Sequence, residues 1–418
     1  MSKAQPLEDS RRYERTLVAI LFFTWGTVFL DRTSQHYLAP FFAPEFHLSH
    51  EQIGLLGSVV AITWAISTLF FGALSDRIGR KPILVPMVFL FSLLSWFSGT
   101  VHSFHELLLV RGLLGIAEGP AWSIMTALIE ESSAPTRRGR NIGMVVSAAA
   151  LVGLAVAPVL TTQIGARFGW RWAFFVSGVP GLLLGILIWK FVREPDRKVV
   201  PGSHGQPVRI RDFLSILRYR NMWLCCVAAA GFLSWLFLDN IFAPLYITEV
   251  AHQTPTMAGF LLGASGLGSF FLALLFPTLS DRIGRKPVLL SMAVMCMAVP
   301  LALLVPQLYA YPWILAAIIG VTNAGQGIAA LVLVLVPTES VPPQFAATAI
   351  GLTTLVSEIA GATAAPVIAG AVAQTHGLAA TMWMSAGGAA LVFVAALFLK
   401  ETHRGRAEPT VLREATAE

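Results

Sequence analysis

The chain has little of what a water-soluble enzyme or a nucleic-acid binder needs. Charged residues make up 12% of its 418, whereas a globular surface ordinarily draws about a quarter of all residues from Asp, Glu, Lys and Arg. Cysteine occurs three times, at Cys225, Cys226 and Cys296, each inside an apolar run. With no metal-type spacing and no disulfide framework, inert packing is the expectation, and neither a metal nor a cofactor is expected. The sequence has no glycine-lysine loop of the kind that cradles phosphate and no polar segment long enough for a soluble catalytic or signalling domain. A membrane enzyme or receptor is therefore set aside. Segments of about ten residues alternating apolar and polar, the signature of a membrane β-barrel, are also missing.

In their place the chain is 56% hydrophobic, with a mean hydropathy of +0.70, more apolar side chain than one core can bury. Lipid is the expected solvent and the bilayer an expected partner. A helix needs about 20 apolar residues to cross roughly 30 Å of hydrocarbon. Twelve such runs are read, at about 16–38, 52–74, 83–101, 107–130, 141–164, 172–192, 221–247, 257–279, 288–306, 312–336, 346–370 and 378–399. The fold class is an all-α membrane protein. Lys and Arg in short loops stay on the cytoplasmic side. With the N-terminus inside, 25 of the 29 basic residues fall in cytoplasmic segments, while Arg167 and Arg171 fall outside and Arg32 and Arg111 within spans. Both termini are expected in the cytoplasm. The net charge of +6 then reads as topology, with no nucleic-acid partner. The first apolar run lacks a small-residue cleavage site and is expected to be a span, not a signal peptide.

The eight residues SDRIGRKP occur twice, at 75–82 and 280–287. Shifting the chain by 208 places LFLD (236–239) on VFLD (28–31), and Glu339, Gly351, Gly361 and Pro366 on Glu131, Gly143, Gly153 and Pro158. Two homologous halves follow. The expected organisation is a cytoplasmic tail (1–15), a six-helix bundle (16–192), a polar linker rich in Pro, Gly and charge (193–219), a second six-helix bundle (220–400) and a tail (401–418), the bundles related by a pseudo-two-fold axis. Parallel repeats of this kind build transporters whose substrate site lies at mid-membrane between the halves.

A charge at membrane depth costs at least about 2.5–3.5 kcal/mol, so it persists where it has a partner or a task. Six ionisable residues are so placed: Asp31, Arg32, Arg111, Glu118, Asp239 and Glu358. Arg111 and Glu118 are seven apart and share a helix face; Asp31 with Gln35, and Arg32 with His36, are spaced i, i+4. Under the 208 shift Asp31 meets Asp239, but Arg32 meets Asn240, Arg111 meets Ile319 and Glu118 meets Gln326, so charge is concentrated in the first half. An arginine pair suits an anion, above all a carboxylate. An anion that occupies the arginine frees a neighbouring carboxylate to take up a proton, which couples the two.

GALSDRIGRKP (72–82) resembles the loop signature of the major facilitator superfamily, and PTLSDRIGRKP (277–287) repeats its polar core. The resemblance implies a gate latch formed by Gly72, Asp76, Arg77, Gly79, Arg80 and Lys81, with Asp281, Arg282, Gly284 and Arg285 in the second copy. LDR (30–32), RGLLGIAEGPAW (111–122) and GWRWAFFVSG (169–178) are similar to the anion:cation symporter family, which includes D-galactonate transporters and sialin. That resemblance implies that Arg32 engages a substrate carboxylate, Glu118 couples protons, Asp31 is a second proton-linked carboxylate and Arg111 is its partner. The expected substrate-binding set is Arg32, Arg111, Gln35, Asn240, Asn323, Gln326 and Glu358; the proton-coupling set is Asp31, Glu118 and Asp239. The expected activity is proton-coupled symport of a small organic anion, such as a sugar acid, by a functional monomer in the cell membrane, a bacterial inner membrane. A drug/proton antiporter of the same fold is the alternative. Its fifth-helix signature is met in GLAVAPVLTT (153–162) only by Gly153 and Pro158.

Overall fold

A computed structural model describes residues 5–134, 136–194, 216–342 and 345–402. Residues 1–4 of the expected N-terminal tail, 195–215 of the expected linker and 403–418 of the C-terminal tail lie outside the described residues. Hydrocarbon offers no water to backbone N–H and C=O groups, so the chain satisfies them within helices. Among the described residues twelve helices are long and apolar enough to cross a membrane. They are α1 Arg11–Glu45, α2 His50–Ile78, α3 Lys81–Ser98, α4 Phe104–Ser132, α5 Arg138–Phe168, α6 Trp170–Phe191, α7 Arg220–Val250, α8 Pro255–Ile283, α9 Arg285–Leu303, α10 Pro312–Glu339, α11 Thr348–His376 and α12 Ala379–Phe398.

Local chemistry sets where the helices start. Ser49 caps α2 in a reciprocal box with Gln52, Ser103 caps α4, and Thr254 caps α8 ahead of Pro255. The first helix runs back to Gln5, into the stretch expected as a tail, because a run of apolar residues marks the lipid core and not the polar turns that continue a helix beyond it. Gly79 and Gly284 end α2 and α8 at φ 115° and 105°. Backbone of that hand suits glycine and strains other residues.

The repeat is visible in the wide, π-helical turns at Ala149–Val156 in α5 and Glu358–Ala364 in α11. Each precedes a proline, Pro158 or Pro366. Proline cannot donate the usual hydrogen bond, and a locally wider turn re-pairs the carbonyls left over. Within these turns Gly153 presses on Phe29 of α1, and Gly361 on Leu233 of α7.

Short connections alternate the chain between two ends of the bundle. We call the end holding both SDRIGRKP loops the motif face and the opposite end the far face. The halves close on each other from the far face to mid-bundle, where backbone meets backbone. A Cβ added at Gly54 of α2 would stand 2.3 Å from the Pro366 carbonyl oxygen of α11, and one at Gly266 of α8 would stand 2.0 Å from the Leu154 carbonyl oxygen of α5. Hydrogen bonds also cross the far half of the seam. Ser58 donates to the Thr363 carbonyl (2.7 Å), the His50 backbone N–H donates to Gln374 (3.3 Å), and His50 Nε2 lies 3.3 Å from Glu249. Toward the motif face the halves part. Gly139 and Gly143 of α5, and Gly351 of α11, face open space. The apolar core follows the same division. One cluster runs from Tyr37, Phe42 and Ile53 across the seam to Phe242 and Ala369, whereas Leu21, Leu84 and Leu128 belong to a cluster confined to the N-terminal half.

Candidate functional site

Midway along α1 two consecutive residues point to different neighbours. Asp31 turns into the N-terminal bundle, where Ser95 of α3 donates to its Oδ1 and Arg111 Nη1 of α4 lies 3.9 Å from its Oδ2. Arg111 also donates to the Asp31 carbonyl (3.4 Å) and stacks on Phe174 of α6, its carbon 4.5 Å from the ring centre. Asp31 and Arg111 have no exposed surface. Arg32 turns to the seam. Its guanidinium lies 5.2 Å from the centre of Trp64 in α2 and 5.5 Å from that of Phe237 in α7, one ring from each half, a geometry in which ring faces attract a cation. Its Nη2 is buried without a hydrogen-bond partner.

Other unpartnered groups surround it. Glu118 of α4 is fully buried, neither carboxyl oxygen has a hydrogen-bond partner, and the charges acting on it are Asp31, Arg32 and Arg111. Glu358, in the wide turn of α11, approaches from the other half; its Oε2 is buried and unpartnered, and Arg32 is the charge that acts on it. Gln35 gives its amide N–H to the Leu56 carbonyl (3.4 Å) and leaves Oε1 free, and the Trp64 Nε1–H is free as well. Around Arg32 there are thus free donors for a carboxylate and free acceptors for hydroxyl groups.

The remaining residues from the sequence lie on the C-terminal side. Tyr37 donates to Asn240 Oδ1 (2.9 Å) across the seam, and Asn240 in turn donates to the Leu236 carbonyl. Asp239 accepts from Ser385 of α12 (2.8 Å) and has no salt bridge among the described residues. Asn323 and Gln326 fall inside the single apolar run read at about 312–336. Within that run α10 is interrupted at Asn323–Ala324. Asn323 donates to Ser265 of α8 (2.7 Å) and accepts from the Gly325 N–H, while Gln326 is half-buried on the next short segment.

Each SDRIGRKP loop is tied within its own half. Arg80 donates to Ser75, Asp76 and Glu131, and Arg285 donates to Ser280, Asp281 and Glu339. Glu194 accepts the backbone N–H groups of Arg80 and Lys81, as Glu401 does those of Arg285 and Lys286. Arg77 and Arg282 are exposed, and Gly72 lies against Ser123 of α4. Sequence reasoning missed Glu194, Glu401, the serines that hold the two aspartates, Tyr37 and the Phe237 ring. For the first pair a signal existed, since both glutamates follow the sixth helix of their half.

Known proteins share this architecture. A solved bacterial homologue of the human lysosomal transporter Spinster, captured inward-facing and unoccupied, superposes with a TM-score of 0.76 over 95% of this chain and 99% of its own, at 20% identity. The nucleoside transporter NupG gives 0.74 over 93% of this chain and 100% of its own, at 13% identity. Among curated relatives, the probable L-galactonate transporter of Escherichia coli is 29% identical over 62% of this chain and 60% of its own length. The cis,cis-muconate transport protein of Acinetobacter baylyi is 28% identical over 58% of this chain and 60% of its own. The hexuronate transporter of Bacillus subtilis is 31% identical over 44% and 43%. The chain thus spans about 60%, or less, of the length of these relatives. Residues 21–365 match the Major Facilitator Superfamily, and with twelve helices in two repeated halves meeting at a charged seam, the chain belongs to that superfamily.

Proposed function

We propose that this protein is a secondary active transporter that carries a small organic carboxylate together with protons by alternating access. The observation that carries the reading is Arg32, a buried guanidinium with a free N–H, held between one aromatic ring of each half. A carboxylate entering the seam takes Arg32 in a charge-assisted, two-pronged contact. Trp64 Nε1–H adds a donor, and Gln35 and Glu358 supply acceptors for hydroxyl groups. Glu118 is the proton carrier, and Asp31, positioned by Ser95 and Arg111, is the second proton-linked carboxylate. Substrate bound at Arg32 changes the charge that Glu118 faces, and this ties proton to anion. Relatives named for galactonate, hexuronate and muconate support an organic acid as cargo.

The basic loops favour a cytoplasmic motif face, in a bacterial inner membrane with both termini inside. The far face is then the closed, periplasmic gate, and the open cleft leads to the cytoplasm. The Asp76 and Asp281 loops latch the opposite state, and the monomer is the working unit. The organisation into a tail, two bundles, a linker and a tail belongs to the same proposal.

The reading is tested in proteoliposomes loaded with a pH dye. Adding galactonate, glucuronate or cis,cis-muconate outside, with no imposed gradient, should acidify the lumen as the acid enters. If none of these acids moves protons, and lipophilic cations drive proton movement in the opposite direction, antiport replaces this proposal.

A further inference from the structure

We infer that Asp239 and Asn323 form the heart of a monovalent-cation site, fitted to sodium, in a cavity on the seam that Arg32 does not line. A cavity of about 30 Å³ lies beside α7, lined among others by Tyr37, Trp235, Asp239, Asn240, Ser265 and Asn323. That is room for a bare ion or one to two waters, and far too little for an organic acid. Asp239 is 7% exposed, and its Oδ2 is buried without a hydrogen-bond donor while Oδ1 is held by Ser385. Ser265, Asn240 and Asn323 line the same cavity, each with an oxygen that accepts one hydrogen bond, from Asn323, Tyr37 and the Gly325 N–H respectively, and keeps a second lone pair. One carboxylate among neutral oxygens is a donor set for a hard cation, and its single charge matches a monovalent ion. No group of three His, Cys, Asp or Glu occurs among the described residues, so the chemistry is not that of a transition-metal site.

The helix beside the cavity supplies an independent observation. In α10 the segment Pro312–Thr322 stops at Asn323 and a new segment begins at Gly325. A helix that ends inside a membrane protein presents unpaired carbonyls and the negative end of its dipole. Interrupted helices of this kind coordinate coupling cations in other transporters. The repeat supplies the reason a cation is needed here. Asp31 has Arg111 3.9 Å away, and the residue matching Arg111 in the second half is Ile319, on this same α10 segment. The positive charge that the first half builds in, the second half borrows from solution. A proton alone would discharge Asp239 without any cavity beside it.

The inference is independent of which acid is carried, and its test uses sodium alone. Purified full-length protein in nanodiscs is titrated with sodium chloride replacing choline chloride at fixed pH and ionic strength, following tryptophan fluorescence, to which Trp235 in the cavity wall contributes, and thermal unfolding. Sodium should give a saturable fluorescence change and a rise in Tm that choline does not give and potassium gives only at higher concentration. Asp239→Asn should abolish both, and Asn323→Ala should weaken apparent sodium affinity by about 10-fold or more. Should Asp239→Asn fail to fold, Ser265→Ala and Asn323→Ala decide through the same titration. Identical responses of the wild-type protein to sodium, potassium and choline, a response to pH alone, or an Asp239→Asn protein that still responds to sodium would overturn the assignment.

Discussion

Arg80 and Arg285 sit 205 residues apart and make the same bonds: a serine five residues back, an aspartate four back, a glutamate across the loop, and a backbone N–H given to a second glutamate that follows the sixth helix of the half. Asp31 and Asp239 sit at matching positions too, yet one has an arginine at 3.9 Å and the other has a cavity. The loops must fit a turn that both bundles share, so duplication copies their chemistry whole. On the proposed transport reading, substrate and ion are each handled at one place, so the copies of those residues diverge. On that reading the halves agree where they share a turn and differ where they meet substrate and ion.

The disagreement is broken most completely at Glu118, whose counterpart is already the uncharged Gln326. Glu118→Gln should abolish accumulation of the acid against a gradient, while exchange of internal for external substrate continues, because exchange moves no net proton. Proton-driven uptake at the unmodified rate would transfer the carrier role to Asp31. Next comes Arg111→Met, which leaves Asp31 buried without its cation. Breaking a buried pair from one side costs about 3–5 kcal/mol, read as a lowered Tm of the purified protein. Asp239→Asn, which removes a carboxylate that has no such partner, should cost much less. Equal losses would mean that the two aspartates are held alike and the comparison fails. A smaller effect is expected for Arg32→Lys, which keeps charge and loses the planar fork. Carboxylate affinity by equilibrium binding should fall by roughly 1–3 kcal/mol, and unchanged affinity would remove Arg32 as the ligand. The smallest effects sharpen the agreement between the halves. Asp76→Asn and Asp281→Asn each remove one partner of a partly exposed pair, worth about 0.2–1 kcal/mol of stability. Both should slow transport to a similar degree and leave binding within a few-fold. Lost binding with normal turnover in either variant would show that the loops do not gate.

The twelve spans were legible because lipid demands unbroken apolar runs, and the pairing of the halves because Gly153, Pro158 and their partners repeat at one offset. The buried charges were legible because each is rare and costly in such a run. The interruption of α10 was not, since NAGQG contains no proline and its small residues read equally well as a close helix contact. Ser95 and Ser385 were passed over for a related reason: a serine in a membrane helix ordinarily bonds to the carbonyl one turn back, as Ser92 does with Val88, and nothing local distinguishes one that reaches an aspartate. Phe237 could not be assigned to Arg32 without knowing how the halves are rotated against each other. Which face is closed is a property of one conformation and is not encoded in any single motif.

The seam is closed at Gly54 near the far face and at Gly266 near mid-bundle by main chain laid directly on main chain. At these two glycines there is no room for a side chain between the halves, so on the proposed alternating-access reading the contact parts and re-forms as a whole. It also makes the resting state sensitive to a single carbon atom. A methyl group at Gly266 would act as a doorstop that holds the gate ajar while each bundle keeps its own packing. A substitution at either position is therefore expected to show first in whether the two halves can meet there, and only then in whether each bundle folds.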